Sequence, residues 1–263
     1  MDNISYEPLI RDMTWSYSRL KSFDSCPYCW YLKYIKFRGA QKKRLFFSDF
    51  GTLMHQLIAD LHEGKITQSQ MKSRYLSEFR SQVKGRAPNK KIFTNYFKSG
   101  LDYASGAERL PGQVLGVEKE VEFFLGENKF TGFIDLMLED ENGAVSIVDH
   151  KSRNLKPRSK RAKPTKSDEE LDDYLRQLYL YSAAIYNILG KFPEYLCFNC
   201  FRTPVFIKEQ FDKQVYDETI AWAQETIDRI ASETEFRPNI EYFKCNHLCD
   251  MQDYCEYFAL TKG

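Results

Sequence analysis

The sequence predicts an α/β domain in which helices come first, a run of strands follows, and helices and strands then alternate. Three observations carry this expectation. Phe50, Leu53, Met54, Leu57, Ile58 and Leu61 recur with the period of a helix. Between 117 and 148 the period falls to two, as in Val117, Val121, Phe123 and Leu125. Ser167-Asp168-Glu169-Glu170 then reads as a capping box that opens another long helix.

Taken in order, Ser16 or Ser18 caps a helix running toward Cys26, and Pro27 restarts the chain. The apolar stripe predicts a helix over 48–62. Two weaker helices follow at 68–83 and 89–108, bounded by Pro88 and by Pro111-Gly112. The strand at 117–125 turns at Gly126-Glu127-Asn128 into a strand at 130–138. Asn142-Gly143 turns that one into a third at 145–151, giving an antiparallel meander. The helix from Ser167 runs to Leu189, strands cover 195–202 and 205–208, and a helix covers 213–232. From Arg237-Pro238 onward the tail reads as irregular. The expectation is a single domain over 1–263, built from three segments. Residues 1–112 are mainly helical, residues 113–236 form the core, and a Cys-rich tail over 237–263 packs back on the N-terminal helices.

At 43% apolar and 29% charged, the 263 residues are neither disordered nor fibrous, and they suffice for a substantial core. The longest uncharged apolar stretch, Leu178–Gly190, is shorter than the roughly 18–20 residues of a membrane span. Met1–Ser5 lacks the basic and apolar regions of a secretory signal, so a cytoplasmic protein is expected, from a bacterial, archaeal or phage-infected cell. Seven cysteines in that setting point to metal or cluster ligands and buried thiols rather than disulfides. The net charge of +1 conceals a pattern. Lys33–Arg44 holds six bases and no acid, and a second acid-free run holds Arg153, Lys156, Arg158, Lys160, Arg161, Lys163 and Lys166. One such run is normally a solvated face; two in a near-neutral chain make a footprint for a polyanion. Aromatics at 15% supply surfaces on which bases can stack.

Asp149 and Lys151 are two apart on a strand, so they leave the same face as apolar Val145 and Ile147. Asp135 lies on the neighbouring strand and can approach Asp149 across the hairpin. Two adjacent carboxylates resist ionisation together, and a hard divalent cation such as Mg²⁺ or Mn²⁺ removes the conflict. Read alone, Asp-x-Lys is an ordinary ion pair at a strand end. His55 sits at the edge of the apolar stripe with Gly51 one turn before it, and Gln177 and Tyr181 share a helix face.

Gly51-x-x-x-His55, Gly132-x-Ile134-Asp135, Asp149-x-Lys151 and Gln177-x-x-x-Tyr181, in this order, resemble the motifs of the PD-(D/E)XK nuclease superfamily, and within it the RecB-type exonuclease branch. The opening Ser16-Tyr17-Ser18-Arg19-Leu20, Phe23 and Cys26-Pro27 resembles that branch too. The resemblance spans about residues 14–258. It implies a restriction-endonuclease-like fold with a central mixed sheet flanked by helices, and a metal-dependent DNA exonuclease. His55, Asp135 and Asp149, with the backbone carbonyl of His150, would hold the metal. Lys151 would orient the attacking water, and Gln177 and Tyr181 would hold DNA or neighbouring groups. Glu118 or Glu120 would be a further acid. His150 itself points to the opposite face by alternation. An endonuclease of the same fold, and a non-cutting DNA-binding protein with structural zinc, are the alternatives. Stand-alone nucleases of this kind occur in phages and in CRISPR or repair systems; no helicase, integrase or recombination partner is identifiable from the residues.

Cys245, Cys249 and Cys255 form a metal-site pattern lacking a fourth ligand, which Cys26 or Cys29 could supply. Some RecB-type nucleases carry a [4Fe–4S] cluster with one Cys before the core and three after it. By that resemblance Cys26, Cys245, Cys249 and Cys255 would hold the cluster, and Cys29 reads as core. The x3 spacing between Cys245 and Cys249 departs from the usual x2 and leaves zinc open, with His247 as a spare ligand. Cys197 and Cys200, three apart on a strand, face opposite sides and read as structural.

Overall fold

A computed structural model describes residues 6–262, so Met1–Ser5 and Gly263 lie outside the described residues. The N-terminal helices are α1 (Glu7–Arg11), α2 (Tyr17–Ser25) and α3 (Pro27–Tyr31), the last running into a π-helical turn at Leu32–Lys36. The helices α4 (Phe46–His62), α5 (Gln68–Gln82) and α6 (Lys90–Gly106) follow. Ser16 caps α2 and Asn89 caps α6, each side chain accepting from a backbone N–H of the first turn.

Five strands make one sheet in sequence order. β1 (Gln113–Leu125), β2 (Asn128–Glu139) and β3 (Val145–Lys151) form the antiparallel meander. β4 (Tyr195–Cys200) runs parallel to β3, and β5 (Val205–Gln210) antiparallel to β4. A parallel pair needs a long crossover, and α7 (Lys166–Leu189) supplies it. The cap of α7 is Thr165, not Ser167. Asp168 accepts in turn from the Thr165 N–H and hydroxyl, which starts the helix two residues earlier and puts Ser167 inside its first turn. α8 (Lys213–Ser232) completes the main body. The tail is not irregular: α9 (Tyr242–His247) and two 3₁₀ turns fill it.

α7, α8 and the N-terminal helices cover one sheet face, in a core that includes Trp15, Leu20, Trp30, Ile147, Leu180, Phe198 and Ala223. α4, α5 and α6 build a second core around Phe50, Leu57, Met71, Tyr75 and Phe79, joined to the end of β4 by Phe201. Cys197 and Cys200 enter different clusters, as alternation requires. The tail is tied to the N-terminal helices by Lys33–Asp250 at 2.7 Å and by Tyr28 donating to Glu256 at 2.6 Å.

β3 pairs with β2 only along Leu136–Glu139, so the first half of β2 overhangs it. Trp15 closes that edge. Its N–H donates to the Lys129 carbonyl at 2.7 Å, and its carbonyl accepts from the Thr131 N–H at 2.8 Å.

Candidate active site

Burial of Leu53, Met54 and Leu57 fixes the roll of α4 and leaves Gly51 and His55 at its edge toward the sheet. Open space lies where a Gly51 side chain would be. The same cleft is lined by Glu118 and by Phe133, which is 53% exposed. Glu118 lies between the pairs Val117↔Leu136 and Lys119↔Ile134, facing Asp135. Its φ is +45°, a left-handed conformation that costs a non-glycine residue roughly 1–2 kcal/mol. One residue beyond the pair Leu136↔Val148, the same register sets Asp135 opposite Asp149.

Both aspartates are buried, at 8% and 4% exposure. Lys151 Nζ lies 2.8 Å from Asp149 Oδ2 and donates to Gln177 Oε1 at 2.9 Å. Gln177 Nε2 in turn donates to Tyr181 Oη at 3.4 Å. The Tyr181 ring lies flush against Gly132, where a Cβ would come within 2.4 Å of it, and this explains why a glycine stands there. His55 Nδ1 is 3.4 Å from Asp135 Oδ2 and 3.8 Å from Glu118 Oε1. The His150 N–H donates to Asp135 Oδ2 at 2.7 Å. The His150 ring turns to the other face, 3.2 Å from Asn199 Nδ2, and burial lowers its pKa to about 3.

Burial dominates the electrostatics of Asp149. Reinforced by Asp135 and only partly offset by Lys151, it raises the carboxyl to about 6. Burial pushes Asp135 the same way, but the hydrogen bond and charge of His55 outweigh it and hold the group below the usual carboxylate range. Burial likewise opposes charge on His55; the hydrogen bonds to Asp135 and Glu118 prevail and raise it to about 10. Asp149 Oδ2 is buried, and the Lys151 ammonium 2.8 Å away is its ion-pair partner among the described residues. Ligand atoms of His55, Glu118 and Asp135 lie within 4.8 Å of one another. Carboxylate oxygens with one imidazole are a donor set suited to hard divalent cations.

The structure brings Asp135, Asp149, Lys151, His55, Gln177 and Tyr181 together, and of the two candidate acids it places Glu118 beside them. The basic loop is different. Arg153 pairs with Glu170 at 2.6 Å, and Arg158 with Asp172 at 2.6 Å and Glu209 at 2.8 Å. Asp168 accepts from Ser159 and Thr165 and so anchors this loop to the start of α7; these bonds hold its carboxyl well below the usual range. Lys156, Lys160, Arg161, Lys163 and Lys166 are exposed and, among the described residues, form no ion pair. No sequence signal pointed to Tyr174, whose ring lies 5.5 Å from Lys151 Nζ, or to Phe133: nothing in the pattern separates them from core aromatics.

Cys26, Cys245, Cys249 and Cys255 line one pocket, and Cys29 lines it with them. Cys29 is therefore not core. Cys26 is the N-cap of α3 and Cys29 follows three residues later, so the two turn to the same side. Cys29 Sγ is 3.5 Å from Cys249 Sγ, and the hydrogen bond between them lowers Cys249 to about 7 and raises Cys29. Cys26 Sγ accepts from the N–H groups of Cys29 and Asn239, both at 3.4 Å. His247 packs against Tyr242 and Phe243, away from the lining of that pocket.

The sequence model of the PD-(D/E)XK nuclease superfamily matches residues 14–256. The chain belongs to this superfamily. Its mixed five-stranded sheet flanked by helices is the PD-(D/E)XK nuclease fold, and the protein is a nuclease by family. A candidate exonuclease of Eubacterium rectale is 15% identical with a TM-score of 0.48, covering 98% of this chain and 97% of its own. A second crystal structure, SSO0001, is 17% identical with a TM-score of 0.32, covering 78% of this chain and 95% of its own. No curated protein matches the chain. Among the described residues, no helix is long and apolar enough to cross a membrane.

Proposed function

We propose that the protein is a Mg²⁺- or Mn²⁺-dependent exonuclease acting on single-stranded or end-exposed DNA. The observation that carries this reading is the convergence of Asp135, Asp149 and Lys151 at adjoining strand positions, with both carboxylates buried. Asp135, Asp149, His55 and the His150 carbonyl would hold the metal, with Glu118 as a further acid. When bound, such an ion supplies Lewis acidity to the scissile phosphate and acidifies water. Lys151, braced between Asp149 and Gln177, orients the water and meets the charge that grows on the phosphate. Gln177 and Tyr181 act through Lys151 by holding its position. The exposed bases of the 156–166 loop meet the backbone of the DNA.

The cysteine pocket fits a [4Fe–4S] cluster better than zinc. Tetrahedral zinc with bonds near 2.3 Å draws its four sulfurs to about 3.8 Å from one another. Among the described residues, no three cysteine sulfurs lie within 4.8 Å of each other. A cluster of eight atoms needs the wider cage. Cys26, Cys245, Cys249 and Cys255, which line the pocket, are its proposed ligands.

The test is end-labelled linear and circular DNA, single- and double-stranded, incubated with Mn²⁺ or with chelator. Loss of linear DNA alone, only with metal, is the expected result. Equal loss of circles would establish an endonuclease, and no loss of either would leave a non-cutting binding protein.

A further inference from the structure

We propose that the cleft beside the end of β3 is a base-stacking subsite for single-stranded DNA, with Phe243 as its platform and Arg202 as its phosphate contact. This deepens the nuclease reading, rests on it, and names the form of substrate the site takes.

The cleft adjoins the candidate active site along the backbone. Ser152 and Arg153, which line it, follow Lys151 directly, and the Phe201 N–H donates to the Lys151 carbonyl at 3.1 Å. Phe201 also packs its ring 6.0 Å from that of His55, so Arg202 begins where the site ends.

Three elements from distant regions of the chain bring rings to it. Phe47 of α4 lies 5.1 Å from Tyr96 of α6 and 6.0 Å from Phe243 of α9. Phe243 is 41% exposed, so part of its ring faces the cleft and stays in contact with water. The guanidinium of Arg202 sits 4.7 Å above the Tyr96 ring. Its Nε is buried without a hydrogen-bond partner, and among the described residues no carboxylate pairs with it. The charge of Arg153 is met by Glu170, so Arg202 is the cation in the cleft that still lacks an anion. The occupant must offer a flat apolar face and a negative charge side by side. A nucleotide of single-stranded DNA does both, whereas a duplex hides its bases in its own stack. α9 carries Phe243 two residues before Cys245, so seating the cysteine tail also seats the platform.

The test measures the anisotropy of a labelled oligo-dT and of a labelled blunt duplex in Ca²⁺, with intact probe verified after each titration. Phe243→Ala should weaken oligo-dT binding about tenfold, within the range of one lost base stack, and change duplex binding less than twofold. Phe243→Trp should restore it and Phe243→Leu should not, while all three keep the thermal midpoint of the wild type. An oligonucleotide of abasic sites should bind wild type and Phe243→Ala alike. Arg202→Gln should flatten the salt slope on oligo-dT by about 0.7. Equal losses on both probes, or full restoration by leucine, would overturn the proposal. The two readings separate in the wild type. Failure to degrade any DNA with Mn²⁺ refutes the nuclease reading, whereas degradation by the wild type with unchanged oligo-dT affinity in Phe243→Ala refutes the subsite.

Discussion

Gly132→Ala should damage both stability and cleavage, although it adds one methyl group. The new Cβ would stand 2.4 Å from Tyr181 Cε1, 2.8 Å from Cζ and 2.9 Å from Oη, where ordinary carbon contacts are about 3.5–4.0 Å. Tyr181 is only 7% exposed and belongs to the main core, so its ring has no free space to enter. It must move by about 1 Å against packed neighbours, an overpacking cost of about 2 kcal/mol. For a chain of this length that is a fall in Tm of about 4 °C. The moving hydroxyl takes with it the brace Tyr181–Gln177–Lys151, and a 1 Å misplacement of this kind costs about 10²-fold in rate. Thermal melts and initial rates on end-labelled DNA measure the two effects. Tyr181→Ala provides the control, since it removes the three atoms nearest to the added methyl group. In the Tyr181→Ala background, Gly132→Ala should cost almost no further stability. If the two costs simply added, the contact would not be what requires glycine here.

Lys151→Ala should lower the cleavage rate about 10³-fold while DNA affinity is kept. It also strips the buried Asp149 of its ion-pair partner among the described residues. Since that carboxyl is already raised to about 6, the folded protein loses stability as pH rises from about 4 through 6; melts in chelator should show the variant's deficit at pH 8 and its recovery toward pH 4. His55, raised to about 10, stabilises the metal-free protein fully below about 6.5, and that contribution is lost as pH rises through 10. A metal must displace its proton, so Mn²⁺ affinity measured by calorimetry should rise about tenfold per pH unit between 7 and 9, and His55→Ala should flatten the dependence. Anaerobically purified protein should contain about four irons. Cys26→Ser should lose them and Cys29→Ser should keep them; one zinc per chain and no iron would refute the cluster. Replacing Lys156, Lys160 and Lys163 by Gln should reduce the salt slope of single-strand binding by about 2, whereas Arg158→Gln should lower Tm with little change in that slope.

Most of the architecture was legible because its signals are local. The stripe from Phe50 to Leu61, the switch to period two, and the turns at Gly126 and Gly143 each report the backbone through residues close in sequence. The site was legible because strand alternation fixes Asp149 and Lys151 on one face, and the hairpin register sets Asp135 opposite. What escaped depends on long-range pairing. Arg153 and Arg158 read as free charges because Glu170, Asp172 and Glu209 lie elsewhere in the chain. Cys29 read as core because a helix of five residues is too short to show which side it buries. The cap of α7 slipped by two because Thr165-x-x-Asp168 and Ser167-x-x-Glu170 carry the same capping pattern. Arg202 and Phe243 gave no signal at all, for only the folded chain sets them side by side.

The overhanging half of β2 has a consequence for how the protein behaves in quantity. Without Trp15, the Lys129 carbonyl and the Thr131 N–H would join a row of open backbone groups along an extended hairpin. Such a row accepts any strand of matching pitch, and in a concentrated solution the nearest one belongs to a second copy. A chain cut before residue 16 would therefore keep Asp135 and Asp149 in place and still lose solubility. Its turbidity should rise with concentration while its active fraction stayed correctly folded. Trp15 acts less as ballast for the core than as a bolt on the sheet, keeping each molecule from adding to the next.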